Sequence, residues 1–377
     1  MRVLVTGVSG LIGSNLAAAA AQQSWSVHGT WHTTPVQLHR VRTSRLDMAD
    51  RRACTELAER FEPDVVLHAA ASVQLSQLER DPELAQRNRL GAEHTLAAAR
   101  AVRARYVLVS SDWVFSGLRA PAQCWDEGDP TEPINAYGRS KLACEQAVED
   151  WHGSWLITRP ANVYGVNLAL PADVNLALPT DVNPALPADV NLALPADVNP
   201  ALPADGQTRA RHVWARSSLA LRWVAHLSAG RPLPAPCEVY QCPTYAWDYA
   251  QRVCELIAQE CEGVCNTAGP DALSRYAFLR ALARAFDCDD GLVQPADTAS
   301  FLRASGEEPG LRLPFNTALC DARCTFVLGR PAVDPLAGLR LMREQLRHVL
   351  DVRRGAGVAP LAPALAQSIH ATGDARR

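Results

Sequence analysis

The sequence predicts an α/β protein in which a doubly wound parallel sheet is joined to a smaller C-terminal substrate-binding lobe. Three observations carry that prediction. Short apolar segments alternate with longer helical ones through the first half of the chain, the pattern of parallel strands wrapped by crossover helices. Three glycines stand between the first apolar segment and the first helical one. A tyrosine and a lysine four residues apart follow an apolar segment that ends in two serines.

Taken in order, strands are expected near 2–6, 26–31, 64–68, 105–110 and 155–159, with helices near 11–23, 50–61, 81–103 and 137–150. This alternation makes right-handed crossovers and places a site at the carboxyl ends of the strands. Residues 1–165 are thus expected to form the dinucleotide-binding domain. The rhythm breaks at Val166. From there to Asp205 run five tandem octapeptides, VNLALPAD, VNLALPTD, VNPALPAD, VNLALPAD and VNPALPAD. Proline in every copy rules out a continuous helix and spoils a central strand, so 166–205 is expected to be an extended, mobile surface loop whose excision joins Gly165 to Gly206 without harm to folding or cofactor affinity. Helices near 212–229, 245–261, 274–286 and 333–350, with short strands near 237–241 and 264–267, are read as the substrate-side lobe, 206–354, which also carries part of the core sheet. The Ala-, Pro- and Gly-rich tail, 355–377, is expected to fray.

Composition narrows the class. Of 377 residues 48% are apolar and the formal net charge is -3, which gives ample core and no basic surface for nucleic acid or an anionic membrane. Met1 runs straight into a strand, and no long apolar run follows, so no signal peptide or membrane span is expected and the chain is read as cytoplasmic. Eleven cysteines lie scattered with no CxxC pair. They are read as reduced thiols, with no metal.

The glycine segment Thr6-Gly7-Val8-Ser9-Gly10-Leu11-Ile12-Gly13 is the first chemical signal. Gly7 permits a tight turn, Gly10 lets backbone approach a pyrophosphate, and Gly13 lets helix pack on strand. The helix that follows offers free N–H groups and a positive dipole end to phosphate. Gly7, Ser9, Gly10, Leu11, Ile12 and Gly13 are therefore expected to hold a dinucleotide.

Tyr137-Gly138-Arg139-Ser140-Lys141 is the second. At i and i+4 the tyrosine and lysine share one helix face. An ammonium beside a phenol is expected to lower its pKa from about 10 and make it a proton donor for a carbonyl becoming an alkoxide. Ser111, ending the preceding strand, is the expected third member, its hydroxyl bonding the substrate oxygen.

Spacing GxxGxxG with a preceding threonine resembles the extended short-chain dehydrogenases/reductases, which implies a Rossmann-type fold and a nicotinamide cofactor. The resemblance further implies that Asp47 and Met48 meet the adenine and that Ala69, Ala70 and Ala71 lie against the cofactor. It puts Asn88 behind the active site and gives Lys141, beside Tyr137, a bond to the nicotinamide ribose. The stretch ending the second strand, Gly29-Thr30-Trp31-His32-Thr33-Thr34, carries no carboxylate to grip a ribose diol, while Arg40 and Arg42 follow. NADPH is therefore favoured over NADH, with His32 at the site. Ser110-Ser111-Asp112-Trp113-Val114-Phe115-Ser116-Gly117, Glu127, Pro133 to Lys141, Arg159 to Gly165, Pro243 to Asp248 and Arg312 to Leu319 resemble the dTDP-4-dehydrorhamnose reductases and their relatives. That implies reduction of a 4-keto deoxy nucleotide sugar, and a homodimer is compatible with it. Trp113, Ser116 and Asn162 depart from the pattern, Asn162 standing where a substrate-pocket tryptophan is usual, so the sugar is left open. An NAD-dependent epimerase or dehydratase and a non-catalytic Rossmann regulatory subunit are the alternatives.

Overall fold

A computed structural model describes residues 1–121, 123–169, 218–308 and 310–353, with side chains to 347. Seven parallel strands form the central sheet: β1 (Arg2–Thr6), β2 (Ser26–Trp31), β3 (Val41–Arg45), β4 (Val65–His68), β5 (Arg105–Val109), β6 (Trp155–Arg159) and β7 (Gly263–Asn266), in the order β7-β6-β5-β4-β1-β2-β3. The direction of winding reverses between β1 and β4. In an open α/β sheet that point is a crevice for ligands.

Both faces are covered because successive strand residues point to opposite sides and those of the inner strands β1, β4, β5 and β6 are mostly apolar. Val3 and Val5 of β1, with Leu67, Val107 and Leu156, pack on Leu16, Ala17 and Ala20 of α1 (Leu11–Gln22) and on Val253 and Ile257 of a helix spanning Ala246–Ala258. Leu4, Val66, Leu108 and Ile157 face the other way, against α2 (Arg51–Phe61), a long α4 (Pro82–Ala101) after the short α3 (Leu75–Arg80), and α5 (Ala136–Glu149). Asp50 and Asp81 start α2 and α4 by accepting first-turn amides, and Pro82 occupies the first turn, where its missing N–H costs nothing.

The expected strands and helices of the first half form, with additions that include the short helix α3 and the strand β3. β3 is absent from the sequence reading because it is an edge strand, VRTSR, with no apolar run. In the second half, 246–258 and β7 join the central sheet, while Leu219–Ser228, Arg275–Ala285 and Thr298–Ala304 pack around a small parallel ladder of Leu233–Pro236 and Val293–Ala296. Among the described residues no helix is long and apolar enough to cross a membrane.

The repeat array corrects its reading at its first four residues. Val166, Asn167 and Ala169 are buried, with Val166 in the main core, so this part of the array is no surface loop. The expected mobile loop from 170 to 205, the helical start at 212–217 and the tail lie outside the described residues.

A buried ion pair fixes α5 against β6. Arg159 donates to Glu145 through Nε at 2.9 Å and Nη2 at 2.7 Å, and neither side chain is more than 3% exposed. The guanidinium also reaches the Glu127 carbonyl and lies over the Phe115 ring. Removing one member of such a pair leaves a buried charge uncompensated, at a cost of about 3–5 kcal/mol. Glu145→Ala is therefore expected to lower unfolding free energy by about that amount in a denaturant titration, whereas a loss within a few tenths would mean that water reaches Arg159.

Candidate active site

The residues singled out by sequence gather at the carboxyl ends of β1, β4 and β5, where the strand order reverses. Gly7 has a φ of +75°, and a Cβ there would come within 2.7 Å of the Ala70 Cα. The Ala69–Ala71 segment can lie on the turn only because both sides are small. A Cβ on Gly13 would fall 2.2 Å from the Gly7 carbonyl oxygen, so α1 starts hard against the turn. Gly10 differs. A Cβ there meets only Gly7 O, at 3.4 Å, so protein packing does not demand glycine, and its bareness clears the outer side of the turn. As the N-cap of α1 it provides no side-chain acceptor, and the first turn holds no acid. The positive end of the helix, flanked by Ser9, Leu11 and Ile12, is thus neutralised by no side chain of its own first turn, the condition under which a helix start favours an anion. These features fit a dinucleotide pyrophosphate.

At the far side of the turn His32 Nε2 stands 3.6 Å from Asp47 Oδ2, both about half exposed. Asp47 Oδ1 accepts the Ala49 amide at 2.9 Å. The Met48 carbonyl is 2.8 Å from His94 Nδ1, and the Met48 side chain lies against Gly91. The cation here is Arg45, whose Nε donates to the His32 carbonyl at 3.2 Å. Arg42 is a correction: it pairs in register with His28, towards the amino end of the sheet, and its charge helps hold the His28 pKa down. Arg40 precedes β3 at that same end.

Ser111 follows β5, and its Oγ accepts the Trp113 amide at 3.2 Å while donating to Asp112 Oδ1 at 3.0 Å. Tyr137 enters from α5, where Asn135 caps the helix by accepting the Gly138 amide at 2.8 Å. Gly138 is what lets the two approach, because a Cβ there would sit 2.2 Å from the Trp113 carbonyl oxygen. The Trp113 and Tyr137 rings meet edge to face at 5.7 Å. Lys141 is buried and donates to the Val109 carbonyl of β5 at 2.6 Å. Burial pushes the Tyr137 phenol up to about 12, opposed by its hydrogen bond with Ser111. The phenol thus lies on the opposite side of its ordinary value from the lowering expected of the Tyr-Lys spacing, because burial outweighs every opposing influence.

Asn88 sits behind this group. Its amide nitrogen donates to Ser140 Oγ and to the Ser72 carbonyl, both at 3.1 Å, and its oxygen accepts the Ser72 amide at 2.7 Å. One side chain of α4 thereby fixes the helix carrying Tyr137 and Lys141 to the segment after β4. His68 is buried between Thr6 and Thr95, and burial with nearby Lys141 lowers its pKa to about 3, so it stays neutral.

Residues that the sequence did not disclose close the site from the other lobe. Asp112 Oδ2 accepts from Gln241 Nε2 at 2.9 Å and from Thr317 Oγ1 at 2.5 Å. The Gln241 oxygen accepts from Arg275, which also donates to Asn162 Oδ1 at 3.0 Å. Arg275 is buried with Trp223 and Phe301 about its guanidinium, each ring centroid 5.5 Å away, and desolvation draws it down to about 10 against the pull of Asp112. Asn162 itself has a φ of +42°. Only the blocks around 243–248 and 312–319 hinted at this side.

This arrangement defines a Rossmann-type α/β fold whose glycine turn stands beside a Ser-Tyr-Lys group. Residues 1–170 match the family described as RmlD substrate binding domain. A probable low-salt glycan biosynthesis reductase of Haloferax volcanii is 35% identical over 170 residues, covering 44% of this chain and 54% of that protein. A dTDP-4-dehydrorhamnose reductase of Burkholderia thailandensis is 34% identical over 165 residues, 44% and 51% of the two chains. Methionine adenosyltransferase 2 subunit beta of Mus musculus is 32% identical over 167 residues, 44% and 47%. The chain thus spans about half the length of the curated relatives it matches. Among solved structures, a Bacillus anthracis dTDP-4-dehydrorhamnose reductase in complex with NADP superposes with a TM-score of 0.67 at 19% identity, over 91% of this chain and 99% of that one. A Thermus thermophilus UDP-glucose 4-epimerase with NAD gives 0.68 at 20%, over 92% and 99%. At such identities they establish the shared fold.

The buried carboxylate yields a test. Burial raises the Asp112 pKa to about 6, opposed by the three hydrogen bonds it accepts. The folded protein then keeps a proton that the unfolded chain, with an aspartate pKa of about 3.9, has released. Its contribution to stability is full below about pH 4 and is lost as pH rises through about 6. Asp112→Asn should remove about 2 kcal/mol of difference between the unfolding free energies at pH 4 and pH 7. An unchanged pH dependence would mean that the Asp112 pKa is no higher in the folded protein than in the unfolded chain.

Proposed function

We propose that this chain is a nicotinamide-dependent reductase acting on the keto group of a nucleotide sugar, a 4-keto deoxy sugar being the best fit. What carries the reading is the meeting of Ser111, Tyr137 and Lys141 beside a glycine turn that is bare where a pyrophosphate would lie. The reductases among its relatives support the substrate class. Held at the glycine turn, a nicotinamide dinucleotide would supply the hydride that reduces the carbonyl carbon. The phenol of Tyr137, held protonated by burial, gives its proton to the carbonyl oxygen. Ser111 donates a hydrogen bond to Asp112, so its oxygen faces and orients the phenol; turned towards the substrate, the same hydroxyl would donate to the carbonyl oxygen. Lys141 lies between Val109 and the expected ribose. We place the enzyme in the cytoplasm, with its eleven thiols free, and a homodimer is compatible with the reading.

A second reading is a non-catalytic subunit, favoured by the relatives named methionine adenosyltransferase 2 subunit beta. The two part on one variant. Tyr137→Phe should lower turnover of a dTDP-4-keto-6-deoxy sugar with NADPH by roughly 10²–10⁴-fold while leaving NADPH affinity unchanged. Retention of more than half the activity would remove Tyr137 as the acid, and no turnover by the unaltered protein would favour the subunit. Should the protein purify with NAD firmly bound, the epimerase reading would gain instead.

The cofactor itself is NADPH in this reading, with Arg45 and His32 beside the 2′-phosphate and no carboxylate at the end of β2. Fluorescence titration should give a tighter Kd for NADPH than for NADH, and Arg45→Ala should erase the difference. Equal or tighter NADH binding by the unaltered protein would overturn it.

A further inference from the structure

The first four residues of the octapeptide array are built into the cofactor cradle. Asn15 of α1, itself fully buried, donates to the Val166 carbonyl at 2.9 Å. Asn167 Nδ2 donates to the carbonyl of Ser9, in the glycine turn, at 2.9 Å. The Leu168 amide donates to Ser14 Oγ at 3.2 Å, and the Ala169 amide donates to Asn167 Oδ1 at 3.0 Å. The Asn167 side chain is thus held at both ends, one by its own backbone in an Asx-type turn and one by the turn that would carry the phosphates. Ser9 lies between Gly7 and Gly10, and among the described residues its carbonyl has no donor besides Asn167.

We propose that Val166–Ala169 is a clamp on the dinucleotide turn, with Asn167 as its positioning residue, and that the array encodes two kinds of copy, one able to form the clamp and one unable. Copies beginning at 166, 174 and 190 open Val-Asn-Leu-Ala, whereas those beginning at 182 and 198 open Val-Asn-Pro-Ala. The third position must donate its amide to Ser14, and proline has none. Proline there also biases the preceding asparagine away from helical backbone angles. Whichever copy follows Gly165 inherits the clamp position, so removal of whole copies from the front alternates the outcome rather than grading it.

The affinity readout rests on the dinucleotide reading above; melting of the cofactor-free protein does not. Deleting one copy (166–173) or three (166–189) puts Leu at the third position and should leave the NADPH Kd within twofold of the full chain. Deleting two (166–181) or four (166–197) puts Pro there and should weaken NADPH by about tenfold, the loss of one or two hydrogen bonds. Two controls separate the clamp from mere length. Deletion of 190–205 removes two copies from the rear and should change nothing. Pro184→Leu within the 166–181 deletion should restore full affinity. Asn167→Ala in the full-length chain should match the two-copy front deletion. The same alternation should appear in the Tm of the cofactor-free proteins, so a full-length chain that bound no dinucleotide would refute the functional reading while the clamp was still tested. If the 166–181 deletion fails to fold while the 190–205 deletion folds, the clamp is supported. A Kd and Tm that are flat or change steadily with copy number, or a Pro184→Leu variant without rescue, would overturn it.

Discussion

One buried carboxylate holds the two halves of the site in register. Asp112 is the residue after Ser111, and its two oxygens face different lobes: one takes the Ser111 hydroxyl, the other the side chains of Gln241 and Thr317. A charge so deep is costly unless every lone pair finds a donor, and here the donors come from segments more than a hundred residues apart. Docking of the C-terminal segment is therefore part of holding Ser111 in place. Arg275 extends the same network to Asn162 through Gln241, which makes the polar interior between the lobes nearly continuous.

What could be read from sequence follows from how local each cause is. The glycine turn, the Tyr-Lys pair and the alternation of strands and helices depend on neighbours a few residues away, and all of them form where expected. The edge strand Val41–Arg45 escaped because an edge half open to water has no need of an apolar run. Gln241, Arg275 and Thr317 escaped because their partners are set by the folded chain and not by spacing. The phenol of Tyr137 differs from its expectation for a related reason: spacing shows that Lys141 shares its helix face, but only the fold shows how deeply the phenol is buried.

Asn88 and Gly138 show how much of the site is positioning. Neither holds chemistry of its own. Asn88 ties α4 to α5 directly behind the lysine, and Gly138 removes the one methyl that would force the tyrosine helix away from the serine turn. A site assembled from three elements needs such spacers, because displacements on the order of 1 Å are costly to proton transfer.

The sheet also carries a consequence for how the chain is made. β6 ends at Arg159, yet its outer neighbour β7 does not begin until Gly263. During synthesis the sheet must wait with Trp155, Leu156 and Ile157 along an open edge while the whole array emerges beside it. An unpaired edge recruits any extended segment that can offer a ladder of amides. A proline in every octapeptide denies it that ladder, so the insertion can lengthen without competing for the place that β7 must take.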